Sequence, residues 1–370
     1  MAGRVRHPID VSALEKYIAE QVPEIKVPLE VTQFGFGQSN PTYQLTSPSG
    51  DRYVLRKKPP GKLLSKAAHK VEREYRIIAA LGPTSVPVPK AYCLCEDASI
   101  IGTPFYIMSF LDGRIIVDPS MPDSPPQERE ALYKAATTTL AKLHSVDFRS
   151  VGLSSFGKPS GFYDRQLATW RQICDAQAGT VDVETGKPVG AIPHTDELLE
   201  FFNDERLRPV DRGTLIHGDY KIDNLVFHAV EPRVIGILDW EMSTVGHPLS
   251  DLANMMNPFY TSSMPRQPGQ PDVGKPFRPG ATSGLPTPEK IMAWYRDEAG
   301  WDPVPEMNWA VAFSVFRSSA ICQGIAARVA TRQASSEQAR QYGDMIGPYG
   351  EFAWSLVEKV REKGSISAKL

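Results

Sequence analysis

The residues best suited to chemistry lie in the segment Leu215-Ile216-His217-Gly218-Asp219-Tyr220-Lys221-Ile222-Asp223-Asn224-Leu225-Val226-Phe227. An apolar run leads into Asp219, Asn224 follows five positions later, and another apolar run begins at once. A further apolar stretch, residues 234–238, ends in Asp239-Trp240-Glu241. A loop Asp, an Asn five residues on and an Asp closing the next strand form a constellation suited to phosphoryl transfer. That reaction asks little covalent chemistry of a protein. It needs a cation to neutralise the phosphate oxygens and a carboxylate to orient an attacking hydroxyl and receive its proton. Asp219 suits the carboxylate role, while Asn224 and Asp239 offer the hard oxygen atoms that magnesium prefers. Any one of the three alone reads equally well as a turn residue or a cap. Their common framing by apolar strands gives the set its weight.

These residues need a scaffold, and the upstream sequence supplies a small sheet. Ser12-Ala13-Leu14-Glu15 fits a capping box, and Leu14, Tyr17, Ile18 and Val22 continue a helical stripe up to Pro23. Strand-like runs follow at 29–34, 42–46 and 53–56. The first two are joined by Gly35-Phe36-Gly37-Gln38-Ser39-Asn40, the second and third by the turn sequence Ser47-Pro48-Ser49-Gly50-Asp51. Helical spacing over 65–81 makes an inward row of Ala67, Val71, Glu74, Ile78 and Leu81, and puts Glu72 on another face. A carboxylate in such a row needs a cationic partner or it tends to neutralise. Strands near 91–95 and 104–110 complete the sheet.

From Leu111 onward the texture becomes mainly helical. Residues 128–145 carry Leu132, Ala136, Leu140 and Leu143 at helical spacing, and the Pro- and Gly-rich stretch 265–288 reads as a long loop. At 370 residues the chain is long enough for two lobes. Its 41 basic and 43 acidic side chains leave a formal charge of −2, which gives no general attraction to nucleic acid or an anionic membrane. No apolar run approaches the roughly eighteen residues that cross a bilayer, and residues 1–10 lack the apolar core of a secretory signal. Cys93, Cys95, Cys174 and Cys322 are too scattered for a disulfide framework and read as free thiols of a reducing compartment. Ala368-Lys369-Leu370 is a conservative variant of the Ser-Lys-Leu tail and follows a polar stretch. It predicts recognition by a peroxisomal import receptor; without it the chain would be expected in the cytoplasm.

His217-Gly218-Asp219 with Asn224, followed by Ile237-Leu238-Asp239-Trp240-Glu241, resembles the aminoglycoside phosphotransferase and choline-kinase-like superfamily. These are small-molecule relatives of the protein kinases. The likeness runs from about Phe34 to Ala353 and takes in Gly37-Gln38-Ser39-Asn40, Tyr53 to Gly61, Arg73-Glu74, Leu143-His144 and Asp251-Leu252-Ala253. It implies an α+β, bilobal, protein-kinase-like fold, with a small antiparallel-sheet lobe over 1–110 and a larger helical lobe over 111–370, and it implies ATP and Mg2+. Gly35, Gly37, Gln38, Ser39 and Asn40 then form the loop over the phosphates, where glycine lets backbone N–H groups approach oxygen. The cation that anchors the nucleotide should come from the third strand and pair with Glu74. Alternation puts Val54 and Arg56 on one face of that strand and Tyr53, Leu55 and Lys57 on the other. Arg56 is the expected partner, with Lys57 open as the alternative; the protein kinases carry Lys there, and Arg changes the geometry. Ser109 and Phe110 fall where the hinge meets the adenine through backbone groups. Asp251 is expected to brace the catalytic loop near His217, itself read as structural, and Glu241 either assists at the metal or caps the strand.

The likeness narrows to a subgroup of kinase-like domains found alone or fused to acyl-CoA dehydrogenases. The shared residues are Phe156-Gly157-Lys158-Pro159, Arg165-Gln166-Leu167, Trp170, Phe313, Phe316-Arg317, Ile321, Gln323-Gly324-Ile325 and Arg328. Phe313, Phe316 and Ile321 read as core positions of a helix. Arg165, Arg317 and Arg328 could hold a carboxylate or the phosphates of coenzyme A, or serve structural salt bridges. The implied acceptor is a hydroxy acid or hydroxyacyl-CoA, with an acyl-CoA dehydrogenase on a separate chain as an implied partner. An aminoglycoside- or choline-type alcohol stays open as acceptor, as does a nucleotide-binding module without turnover.

Overall fold

A computed structural model of the chain describes residues 2–35, 40–59, 70–265, 272–333 and 339–367. The Ala368-Lys369-Leu370 tail lies outside them. Two compact units emerge: Met1–Pro119 with Val146–Ser154 and His217–Thr244, and Ser120–Ser145 with Ser155–Ile216 and Val245–Leu370. The division differs from a single cut after residue 110, because residues 217–244 fold with the N-terminal sheet. The hairpin of that segment pairs with residues of the first unit, and Ile237 N–H donates to the Pro87 carbonyl at 3.0 Å.

The sheet of the first unit has six antiparallel strands: β1 (Ala2–Gly3), β2 (Glu30–Phe34), β3 (Thr42–Thr46), β4 (Arg52–Lys57), β5 (Ala91–Cys95) and β6 (Phe105–Ser109), in the order β1-β2-β3-β4-β6-β5. Five were legible in the sequence; β1 is too short to show a periodicity. Helix α1 (Val11–Gln21) buries Leu14 and Ile18 on this sheet, with Tyr43, Leu45, Leu55, Phe105 and Ile107 in the same core. Asp10, rather than Ser12, caps α1 by accepting from the Ala13 N–H, and Glu15 instead accepts from the Leu29 N–H. The helix begins two residues earlier than the capping-box pattern because Asp10 is already a competent cap. Helix α2 (Val71–Leu81) buries Val71, Glu74, Ile77, Ile78 and Leu81, and Glu72 faces Lys58. Helix α3 (Ala98–Ile101) is one turn, and β7 (Arg114–Ile115) pairs with β9 (Leu225–Phe227), which pairs in turn with β10 (Val234–Ile237).

The second unit is mainly helical: α4 (Pro126–Ser145), α5 (Phe162–Ala178), α6 (Thr195–Asn203), α7 (Leu249–Thr261), α8 (Pro288–Ala299), α9 (Val304–Ala330), α10 (Ala339–Gly343) and α11 (Ile346–Ser367). Two short strands, β8 (Thr214–Ile216) and β11 (Thr244–Gly246), flank the 217–244 excursion. By length and composition α9 could cross a membrane, but most of its apolar stretch is buried inside the unit. Phe313 and Phe316 are core, as expected; Ile321 is 48% exposed, because it falls on the outer face of α9.

Two buried histidines organise this unit. His144 places Nδ1 at 2.7 Å from the Tyr295 hydroxyl and Nε2 at 3.3 Å from Asp251, tying α4 to α8 and α7. Asp251 thus has an observed partner in His144. His247 is fully buried; its Nε2–H donates to the Val210 carbonyl at 3.0 Å, and its Nδ1 accepts from the Leu249 N–H at 3.3 Å. Burial pushes its pKa down to about 4, partly offset by the bond to Val210. An unfolded histidine titrates near its ordinary value, so the unfolded chain takes up this proton first as pH falls. The stability tied to neutral His247 is therefore complete above about pH 6.5 and lost as pH falls towards 4, an effect of about 3 kcal/mol. Chemical denaturation at pH 7 and pH 4.5 should show a smaller loss for His247→Gln than for the native chain. Equal losses would remove this histidine from the acid response.

Candidate active site

Asp219, Asn224 and Asp239 are brought together by a loop whose backbone is fixed from inside. Gly218 adopts φ +87°, and a Cβ there would lie 2.6 Å from the Met242 carbonyl oxygen, so only glycine fits the turn into Asp219. His217 is fully buried. Its Nε2–H donates to the Leu238 carbonyl at 2.8 Å, and its Nδ1 accepts from the Asp219 N–H at 3.2 Å. Those two bonds require the neutral ring with its proton on Nε2. One structural histidine thereby ties the backbone of Asp219 to the residue preceding Asp239. Leu238 N–H also donates to the Asn224 carbonyl at 2.9 Å. Asn224 in turn donates its amide to the Asp219 carbonyl at 2.8 Å and to Asp219 Oδ2 at 3.2 Å.

Asp219 keeps 38% of its side chain exposed. Lys221, absent from the sequence-derived set, stands with Nζ at 3.4 Å from Asp219 Oδ2 and 3.5 Å from Asp223 Oδ2. A signal for it existed. Tyr220 is fully buried, and alternation along an extended segment puts residues 219 and 221 together on the open side.

The cation and carboxylate of the N-terminal sheet meet as expected. Arg56 Nη1 lies 3.0 Å from Glu74 Oε2, and Lys57 instead points to the Tyr43 ring, its Nζ 6.0 Å from the centroid. Arg56 also reaches Asp239: Nη2 is 3.3 Å from Oδ1. One guanidinium therefore bridges Glu74 and Asp239, a use suited to its planar fork of donors. Glu74 is completely buried, and it accepts from the Tyr106 hydroxyl at 3.0 Å and the Asn40 amide at 2.8 Å as well. Burial pushes the Glu74 carboxyl up in pKa, against the pull of Arg56 and Tyr106. Burial also works against the charge of Arg56, but Tyr106, Glu74 and Asp239 outweigh it and hold the guanidinium above its ordinary value. Tyr106 was illegible from the sequence, because only strand register sets it opposite Arg56. Glu241 adds negative charge near Arg56 from the turn after Asp239.

Asp239 takes a left-handed backbone, φ +65° and ψ +56°, uncommon for a residue other than glycine. The strain is supported on both sides. Trp240 donates its ring N–H to the Ile237 carbonyl at 2.9 Å, and Arg73 donates to the Ser243 carbonyl at 3.1 Å.

Several expected nucleotide contacts are modified. Gly37, Gln38 and Ser39 lie outside the described residues, and Gly35 ends the visible approach to that loop. Asn40 was expected to face the phosphates; it is fully buried and spends its amide on Glu74, the stronger demand being the buried carboxylate. At the hinge, the Ser109 and Phe110 N–H groups donate to the Lys90 and Arg52 carbonyls. The Phe110 ring lies nearly parallel to that of Phe34, with centroids 6.5 Å apart. The three arginines expected near an acceptor all belong to the second unit. Arg165 donates to the Ser160 and Lys158 carbonyls, a structural use; Arg317 is half-buried on α9, and Arg328 is exposed in its last turn.

The donor set suits a magnesium ion. Asn224, whose amide nitrogen is turned to Asp219, presents its carbonyl oxygen, and Asp239 adds a carboxylate. Magnesium is commonly held by one or two such oxygens with substrate phosphates and water.

A small antiparallel sheet with a buried Arg–Glu pair, a His-Gly-Asp loop and a helical C-terminal part define the class of the small-molecule phosphotransferases. The match of residues 30–272 to the phosphotransferase enzyme family places the chain in that family. The chain is 37% identical to a Ralstonia eutropha protein provisionally described as an aminoglycoside phosphotransferase, whose crystal structure superposes with TM-score 0.80 over 95% of this chain and 99% of that one. It is 41% identical over 355 residues to acyl-CoA dehydrogenase family member 10 of Mus musculus, covering 95% of this chain and 31% of that protein. It spans less than half the length of the curated relatives it matches. A streptomycin–ATP–phosphotransferase ternary complex, 18% identical, shares the fold with TM-score 0.55 over 85% of this chain and 91% of that one.

Proposed function

We propose that this chain transfers the terminal phosphoryl group of ATP to the hydroxyl of a small acyl compound, a hydroxy acid or its coenzyme A thioester. The observation that carries the reading is the half-exposed Asp219 carboxylate, held between Asn224 and Lys221 and tied through His217 to the backbone before Asp239. In the reaction, the acceptor oxygen attacks the terminal phosphorus while its proton passes to Asp219. The bond from phosphorus to the bridging oxygen breaks, and ADP leaves. Asn224 and Asp239 would hold a magnesium ion, which supplies positive charge to the phosphate oxygens when bound. Arg56, fixed by Glu74, offers a second positive charge on the nucleotide side.

Kinship with acyl-CoA dehydrogenase family proteins supports an acyl acceptor and action alongside an acyl-CoA dehydrogenase. The Ala368-Lys369-Leu370 ending supports a peroxisomal setting for such chemistry. A phosphate-transfer screen across hydroxy acids, hydroxyacyl-CoAs, choline-like alcohols and aminoglycosides tests the assignment. Turnover confined to the last two classes would overturn the acyl acceptor, and nucleotide binding without any turnover would overturn catalysis.

Lys221 carries a further expectation. Its ammonium lies beside the carboxylate that takes the acceptor proton, so it can meet charge developing on the transferred group. Lys221→Met should lower kcat about a hundredfold, with a much smaller change in KM for ATP, and Lys221→Arg should retain most of the rate. Steady-state kinetics on the acceptor found by the screen would decide it. A change confined to KM would remove the lysine from the chemical step.

A further inference from the structure

Consecutive residues of α2 hold the turn after Asp239 at two places. Glu74 acts through Arg56, whose guanidinium meets the Asp239 carboxylate. Arg73 stands about 100° away around the helix, and its Nη2 donates to the Ser243 carbonyl at 3.1 Å. The first route holds the side chain of Asp239. The second holds the backbone at the far end of the same turn.

The turn is closed in a way that carries this hold back to Asp239. Ser243 is buried, and its N–H and hydroxyl both donate to the Trp240 carbonyl, at 3.1 and 2.6 Å. Trp240, itself buried, donates its ring N–H to the Ile237 carbonyl at 2.9 Å. Residues 240–243 therefore form one closed piece, and Asp239 is the joint between it and the end of β10. That joint has φ +65°, a strained backbone for a residue other than glycine, which persists only where its surroundings fix it. The turn also bears on the loop before Asp219. A Cβ on Gly218 would lie 2.6 Å from the Met242 carbonyl oxygen and 2.8 Å from the Met242 Cβ. Movement of the turn would redirect the Asp239 carboxylate and press on the residue preceding Asp219.

We infer that Arg73 is a positioning residue for the metal ion, fixing from α2 the backbone of the turn that aims Asp239. The inference rests on the phosphotransferase reading above and adds to it a residue that acts through a backbone carbonyl. Groups that hold metal-ligating residues in place are commonly worth roughly 10–100-fold in metal affinity. Arg76, three residues on, supplies the comparison. It is exposed, and its Nη2 donates to the Gly152 carbonyl at 3.2 Å, on a different segment.

Titration of the full chain with Mn2+ in the presence of ADP, followed by electron paramagnetic resonance of the free ion, tests it beside titration with ADP in EDTA. Arg73→Met should weaken Mn2+ about tenfold and leave metal-free ADP affinity within about twofold of native. Arg73→Lys, whose ammonium can still donate to the Ser243 carbonyl, should recover part of the loss, and Arg76→Met should match the native chain. Arg73→Gln, too short to reach that carbonyl, carries the same expectation if Arg73→Met does not fold. Unchanged Mn2+ affinity without the Arg73 guanidinium overturns the inference. Equal losses for Mn2+ and metal-free ADP, or the same Mn2+ loss in Arg76→Met, also overturn it, since general loosening of α2 would act that way. A native chain that binds ADP but no Mn2+ would remove the metal site on which the inference depends. One that binds neither would instead bring down the phosphotransferase reading itself.

Discussion

Asp219→Asn is expected to reduce kcat by about 10³-fold while magnesium–ATP still binds with near-native affinity. The substitution preserves size and shape. An asparagine oxygen can still accept from Asn224, and the backbone bond from residue 219 to His217 is untouched. What disappears is the capacity to receive a proton, together with the charge that holds Lys221. The nucleotide side does not depend on that side chain, because Arg56 and Asp239 are fixed by Glu74 and the β10 turn. Single-turnover phosphate transfer and nucleotide titration separate the two quantities. Lost nucleotide binding with a normal rate at saturation would show that Asp219 serves binding instead.

Glu74→Ala is expected to cost about 3 kcal/mol of stability and to lower kcat/KM for ATP. Three buried donors converge on this carboxylate: the Arg56 guanidinium, the Tyr106 hydroxyl and the Asn40 amide. Alanine leaves all three without that acceptor in a place water does not reach, and an unpaired buried group costs its full desolvation. Arg56 would then lean on Asp239 alone and lose its set position. Glu74→Gln is the informative comparison, since its amide oxygen can still accept from Arg56 and Tyr106; it should lose roughly half as much. Denaturant unfolding of both variants gives the numbers. A Glu74→Ala protein as stable as the native chain would mean that the buried pair contributes nothing net, as replacement of some buried ion pairs has shown elsewhere.

The two expectations differ in how far they could be read without coordinates. Asp219, Asn224 and Asp239 stood out because their spacing is local and apolar strands frame them. Helical and strand periodicities, each a property of a few consecutive residues, put Glu74 and Arg56 on inward faces and set five of the six strands of the sheet. Lys221 was within reach of the same alternation argument. The second carboxylate on Arg56 was not, since it joins residues 183 positions apart. Neither was Tyr106, whose place opposite Arg56 depends on strand register. Asn40 shows the limit from the other direction: its sequence neighbours are loop residues, but tertiary packing turns it inward to satisfy Glu74. The carbonyl partners of Arg165 likewise come from how the chain preceding α5 is folded, which no charge pattern encodes.

By itself, then, the sequence determined the inward faces of the N-terminal elements and the family. Each follows from residue type and short-range period. Only the tertiary structure decided which atoms meet: that one arginine bridges two carboxylates, that His217 links the two aspartate-bearing segments through backbone atoms, and that residues 2–9 close the edge of the sheet. Those contacts join distant parts of the chain, and their partners are set by burial and by the demand that every buried polar group find a mate.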